Sequence, residues 1–249
     1  MARGFCMKYF SLPDNIRAVC DALVSGLKEI LVDKLYGVYM YGAAVFPDSG
    51  TITDIDSHVI LNNSLNDIDR ADIFHLYEEL SKRFSFSGNN LDVWYILFND
   101  AQKTRPPMHQ LKTDMHDEWW ALHCAHIRAG RYLTLYGPEP LDIFPVPSWE
   151  EITAALDYEI EYIKKNLLYP AYCVLNLCRI IYSFQKRDVV VSKRSNGLWA
   201  SNLFPQWRPL IEAALNDYEG RATDNEKSRL QADINQFLAF ASELIREAR

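Results

Sequence analysis

Apolar residues recur every three or four positions at the start of the chain: Ile16, Val19, Cys20, Leu23, Leu27, Ile30 and Leu31. That spacing lines one face of a helix over 13–31, and Pro13 with Asp14 suits its start. The pattern then changes. Leu35 to Tyr41 is a run of aromatic and branched residues, as strands favour. A second strand is predicted from Asp54 to Leu61. Side chains alternate along a strand, so Asp54, Asp56, His58 and Ile60 share one face and Ile55, Val59 and Leu61 the other. Asn62 to Asn66 is turn chemistry. A helix over 68–84 follows, striped by Ile73, Leu76, Tyr77, Leu80 and Phe84. After a Gly/Asn/Ser loop over 85–90, Leu91 to Phe98 reads as a third strand with Asp92, Trp94 and Ile96 on one face.

Pro106 and Pro107 interrupt the pattern. A helix is predicted over 114–129 and a short strand from Tyr132 to Tyr136. Prolines 138, 140, 145 and 147 then cluster and mark a domain boundary. Beyond it the periodicity is helical throughout. Ser148 and Glu151 have the spacing of a capping box, opening a helix to about Leu168. Further helices are expected over 171–185, 195–204 and 209–218. Thr223 and Glu226 form a second capping box ahead of a last helix that turns Leu230, Ile234, Phe237, Ala241, Leu244 and Ala248 inward. The fold class expected is α+β, with a mixed sheet and helices over 1–144 and an all-helical bundle over 145–249.

Of the 249 residues, 49% are hydrophobic and 24% charged, the balance of an ordinary globular protein. The net charge is -7 and the pI about 5.4. A phosphate-backbone binder normally presents a basic face, so no nucleic-acid partner is expected. An acidic protein suits a cationic small molecule better. The five cysteines include no CxxC pair, which argues against a disulfide framework or a zinc site built on cysteine and fits a reducing cytoplasm. Arg3 and Lys8 are followed by no long apolar run, so no signal peptide is read. No stretch approaches the roughly 18 apolar residues of a membrane span, so no membrane partner is expected. The chain is expected to be a monomer or weak dimer.

The chemistry concentrates between the first two strands. Tyr41-Gly42-Ala43 ends one strand in a glycine turn, and ten residues later Asp54-Ile55-Asp56 opens the next. Two carboxylates one strand-repeat apart can share Mg²⁺, which takes oxygen ligands. Aspartate is depleted in strands, so this pair is locally costly and asks for a reason. Backbone N–H groups at Gly42 and Ala43 can meet a phosphate. Further along, His116, His123 and His126 lie around Cys124, with 123 and 126 spaced for one helix face; a metal cluster is the lesser reading there, and polar groups at the edge of the cleft between the domains the expected one. Asp117, Glu118, Trp119 and Trp120 combine acids and aromatics suited to a cationic substrate. Lys193 follows Ser192 at a helix start.

Gly42, the Asp54/Asp56 pair and a third carboxylate, Asp92, on a later strand together resemble the signature of the nucleotidyltransferase superfamily. A narrower resemblance covers most of the chain. Leu133-Thr134-Leu135-Tyr136-Gly137-Pro138-Glu139-Pro140 is similar to the segment that closes the nucleotidyltransferase domain of streptomycin/spectinomycin-type aminoglycoside adenylyltransferases. Val174 to Tyr182 resembles that family's Val-Leu-x-Leu-x-Arg-Ile-x-Tyr helix. Lys193, Trp199-Ala200 and Pro205 match its Lys-x5-Trp-Ala-x4-Pro spacing.

The resemblance implies a two-domain enzyme that transfers AMP from ATP, with Mg²⁺, to a hydroxyl of a small acceptor, an aminoglycoside. It implies Asp54, Asp56 and Asp92 as catalytic and metal-binding carboxylates. Asp92 is either a metal ligand or the base that takes the hydroxyl proton. It implies Lys193 as a phosphate contact, joining Gly42 and Ala43 of the glycine turn and Thr53 in the expected nucleotide site. Three positions depart from the family. Ala43 stands where serine is usual; losing a charge-assisted bond there weakens triphosphate binding by roughly 1.5–3 kcal/mol, which Ser49 and Thr53 are placed to offset. Leu198 replaces a drug-contacting aspartate, and Leu203 a position that can hold arginine. These departures leave open a second reading: a nucleotide-binding homologue with a different acceptor or little transfer activity.

Overall fold

The structure is a computed structural model that describes residues 12–48, 52, 54–84 and 90–249. Helix α1 (Asp14–Leu31) buries Ile16, Val19, Cys20, Leu23, Leu27 and Leu31, the stripe its spacing predicts. It leads into β1 (Leu35–Tyr41), then β2 (Ile55–Leu61), α2 (Asp67–Arg83), β3 (Leu91–Leu97) and the single turn α3 (Phe98–Ala101). Helix α4 (Trp120–Arg128) and β4 (Leu133–Tyr136) complete the sheet region. Strand order is β3-β2-β1-β4. β1 pairs antiparallel with β2 and β4, and β2 pairs parallel with β3. A parallel pair needs a crossover, which α2 supplies. An Asn66/Asp69 capping box starts that helix.

Both faces of this sheet are covered. Val38, Val59, Leu61, Val93 and Tyr95 pack with Leu23 and Leu27 of α1 and Ile73 and Leu80 of α2. Tyr39, Tyr41, Ile60, Trp94 and Ile96 pack with Trp120, Cys124 and Ile127 of α4 and with Phe144. The strands therefore read as near-continuous apolar runs, as strands buried on both faces do. Asp56, His58 and Asp92 belong by alternation to the second of these faces.

Helix α4 is shorter than the 114–129 its periodicity predicts. Upstream of it the backbone bonds elsewhere. The Asp117 N–H donates to Pro107 O, His109 N–H to Met115 O, and His116 pairs with Met108 across an isolated bridge. These contacts with the proline segment use groups a helical turn would need.

The remaining helices are α5 (Trp149–Lys165), α6 (Pro170–Lys186), α7 (Lys193–Leu203), α8 (Arg208–Tyr218) and α9 (Asp224–Ala248). The chain divides into two compact units. One runs to Pro47 and resumes over Ile52–Ile152; the other takes in Asp48 and Thr153–Arg249. In the second unit, α6 buries residues on nearly every side, from Ala171 to Phe184, and packs against α7, α8 and α9. A Cβ at Gly197 would lie 2.7 Å from Leu215 Cδ2 and 3.0 Å from Leu175 Cδ2, so glycine lets α7 come close to its neighbours. Both predicted capping boxes form. Ser148 N–H donates to Glu151 Oε2 at 2.7 Å, and Thr223 N–H to Glu226 Oε2 at 2.7 Å. Among the described residues, no helix is long and apolar enough to cross a membrane.

Candidate active site

At the end of β1 the chain turns at Gly42, with φ 72° and ψ -153°. A Cβ built there would fall 1.7 Å from Asp56 Oδ2. Only glycine allows the backbone so close to that carboxylate. The register places Asp56 opposite Tyr41 on one side and Asp92 on the other. Two of the three acids singled out in the sequence are thus cross-strand neighbours at one end of the sheet. Asp54 lies one residue ahead of β2, and the Ile55 N–H donates to Asn90 O at 2.8 Å, pinning the strand's start.

The electrostatics show how much negative charge gathers here. The Tyr41 hydroxyl is pushed well above its ordinary value, first by burial and then by Asp117, Asp56, Asp92 and Asp54. The Asp92 carboxyl is raised too. Burial is the main cause, with Asp117 and Asp54 adding to it and His123 and Lys112 opposing. Like charges held together in a low-dielectric site favour protonation or a bound cation.

After Gly42, residues Ala43–Val45 form one tight helical turn. Its own bonds begin at Val45 N–H to Gly42 O and Phe46 N–H to Ala43 O. The N–H groups of Ala43 and Ala44 therefore stand outside that ladder, as at any helix start. Thr53 and Ser49, named from the sequence as nucleotide contact and compensating hydroxyl, lie outside the described residues.

The acid–aromatic stretch divides. Trp120 is wholly buried, its indole N–H donating to Lys103 O at 2.8 Å. Asp117 is also wholly buried, whereas Glu118 and Trp119 are partly exposed. Asp117 Oδ2 meets His123 Nδ1 at 2.8 Å and His58 Nε2 at 3.3 Å. The His58 ring stacks on Tyr41, with centroids 4.2 Å apart. Burial holds His58 down at about 4, against the opposing bond from Asp117. Burial would also lower His123, but the Asp117 charge outweighs it and raises that imidazole. The two imidazoles in turn hold the Asp117 carboxyl well below the usual range despite its burial. Of the three histidines noted in the sequence, only His123 joins this group. His126 packs edge-on against Phe46, and His116 is exposed.

Lys193 is the first residue of α7 in the second unit. A lysine at a helix N-terminus faces the wrong end of the dipole. Its ammonium lies 5.1 Å from the Tyr172 ring centroid and 5.7 Å from that of Tyr218. The Tyr172 hydroxyl donates to Glu159 Oε1 at 2.8 Å. Asp48 supplies the negative charge at this helix start. Its Oδ2 accepts from Ser192 Oγ at 2.7 Å and also from Ser195 Oγ. The sequence singled out Lys193 without Tyr172, Tyr218 or Asp48. They lie 21, 25 and 145 positions away, and no local pattern links them.

Residues 143–243 match the family model of the aminoglycoside adenylyltransferase C-terminal domain. That match covers the helical second unit and not the sheet region. Among solved structures it is similar to the spectinomycin adenyltransferase AAD(9) from Enterococcus faecialis, determined with ATP and spectinomycin. The TM-score is 0.77 at 14% identity, over 92% of this chain and 99% of that one. Identity that low carries the fold alone, so this chain shares its α+β architecture with that enzyme. No curated protein sequence matches the chain.

Proposed function

We propose that this chain is an aminoglycoside adenylyltransferase: it transfers AMP from ATP to a hydroxyl of an aminoglycoside antibiotic, with Mg²⁺ held by Asp54, Asp56 and Asp92. The observation that carries the reading is the Gly42 turn pressed against Asp56, with Asp92 as that residue's register partner. The donor set fits magnesium: the ligands are hard oxygens, and their charges raise both Tyr41 and Asp92. Bound there, Mg²⁺ would offset charge on the phosphates and favour ionisation of the attacking hydroxyl.

The chain's own groups supply the rest. Gly42 lets the phosphate-bearing end of the nucleotide approach the backbone, where the Ala43 and Ala44 N–H groups are outside the turn's own bonding. Asp92 either joins in holding the ion or accepts the hydroxyl proton. Lys193, flanked by Tyr172 and Tyr218, offers an ammonium for the triphosphate. Glu118 and Trp119, the partly exposed members of their stretch, are the candidates for an acceptor ammonium through ion pairing and cation–π contact. The oxygen of the acceptor bonds to the α-phosphorus, the bond to the β-phosphate oxygen breaks, and pyrophosphate leaves.

Asp56→Asn tests this directly. AMP transfer should vanish while circular dichroism is unchanged; transfer that survives in the variant removes the metal assignment. Leu198 and Leu203 favour a second reading. Both are exposed on α7, with 43% and 47% of their surface open, where the resemblance implies a drug-contacting aspartate at 198 and allows an arginine at 203. Under that reading the acceptor is not an aminoglycoside. Calorimetric titration with MgATP, with and without streptomycin or spectinomycin, separates the two. Binding strengthened by a drug supports the first, and binding indifferent to both supports the second.

A further inference from the structure

His58, Asp117 and His123 come from three separate stretches: the middle of β2, the turn before α4, and α4 itself. One donor atom from each lies within 4.8 Å of the other two. The geometry points to a transition-metal site here, of the zinc class, made from Asp117 Oδ2, His123 Nδ1 and His58 Nε2 and using none of Asp54, Asp56 or Asp92.

The donor spacing supports it. Asp117 Oδ2 is 2.8 Å from His123 Nδ1 and 3.3 Å from His58 Nε2. Ligands about 2.0–2.1 Å from a tetrahedral ion stand about 3.3 Å apart, so the cluster need open only slightly to receive one. Two imidazoles and a carboxylate suit zinc or cobalt and are a poor set for magnesium, which prefers oxygen and keeps its waters. Asp117 and His58 are wholly buried, and the His123 side chain is 16% exposed. That leaves a single open side, where water could take a fourth position and through which an ion could arrive.

The surroundings are rigid and incompletely satisfied. Tyr41 stacks on the His58 ring at an interplanar angle of 10°, and Trp120 meets it edge-on at 5.3 Å. Asp117 Oδ1 is buried with no hydrogen-bond partner among the described residues, and so is His58 Nδ1. A cation bound to the carboxylate compensates the first. The second is a missing outer contact, and such losses weaken metal binding about 10–100-fold. The site is therefore a zinc clip of moderate strength tying α4 to β2, the strand that also carries Asp56. Filling it replaces the imidazole N–H bonds to Asp117, so any proton on a coordinating nitrogen goes to buffer.

The test uses the full chain stripped with a chelator, dialysed against zinc chloride and counted for metal per protein; cobalt chloride serves as the spectroscopic probe. The expected result is one zinc per chain, visible d–d bands of four-coordinate cobalt, and a loss of at least about 100-fold in affinity in His123→Gln. Asp92→Asn should keep its zinc, which separates this site from the carboxylates of the proposed transfer site. His123 is the partly exposed member, so its variant is the one expected to fold, as circular dichroism will check. Absence of stoichiometric zinc and of those cobalt bands in the unaltered protein overturns the site. So does zinc retained at full affinity in folded His123→Gln, or zinc lost with Asp92→Asn.

Discussion

A methyl group at Gly42 would meet Asp56 Oδ2 at 1.7 Å, on a backbone with φ 72°. Gly42→Ala must therefore displace the carboxylate or the turn. A shift of about 1 Å in a reacting group costs on the order of 100-fold in rate, and the left-handed conformation adds about 1–2 kcal/mol of strain. Steady-state kinetics should show at least that drop in kcat/KM. A variant of normal activity would place the reacting groups elsewhere. Ala43→Ser should do the reverse: if the turn meets phosphates, the added hydroxyl tightens ATP binding, and an unchanged Kd would say that it does not. His109 gives a residue-scale prediction for stability. Its Nδ1 accepts from the Leu111 and Lys112 N–H groups at 3.0 and 3.3 Å, which requires an unprotonated nitrogen. Burial, then the Lys112 charge, holds it down at about 4. Unfolded, it binds a proton below about 6.5. Between about 4 and 6.5 the unfolded chain thus holds more protons, so stability is full above that window and falls as pH drops through it. The loss is on the order of 3 kcal/mol. Urea melts at stepped pH should show the decline, with His109→Asn, which keeps an acceptor, flattening part of it.

At the scale of elements, local signals place most of the fold. The stripe of α1, the two capping boxes and the apolar runs of β1, β2 and β3 are each written within a dozen or so residues, and the structure follows them to within a few positions. Thr223→Ala tests one such signal. Losing the Thr223 hydroxyl that accepts from Glu226 N–H should cost about 1 kcal/mol in chemical denaturation. No change would mean that α9 is held by packing alone. What local pattern misses is non-local. The start of α4 is set by bonds to Pro107 and Lys103, so a helical period over 114–119 is overridden. The candidate site divides the same way. Gly42, Asp56 and Asp92 are legible because strand register converts short spacings into proximity. The meeting of His58 with Asp117, 59 residues on, depends on how α4 packs across the sheet, and no spacing rule contains that.

For the whole molecule, the net charge of -7 bears on which acceptors can be captured. ATP is itself an anion, so the protein's overall field opposes the nucleotide and favours a cation. Two local arrangements work against the first effect: the cation proposed among Asp54, Asp56 and Asp92, and Lys193 at the head of α7. The second needs no such compensation if the acceptor is the proposed aminoglycoside, which carries several ammonium groups. The two substrates should then respond to salt with opposite sign. Screening weakens attraction and repulsion alike beyond about 10 Å at 0.1 M salt. With Mg²⁺ held fixed, raising potassium chloride from low to physiological strength should lower kcat/KM for a polycationic acceptor several-fold. Apparent KM for MgATP should stay flat or fall. If acceptor kinetics ignore salt, capture depends on short-range contacts alone, which is the behaviour expected of an uncharged acceptor lying against Leu198 and Leu203.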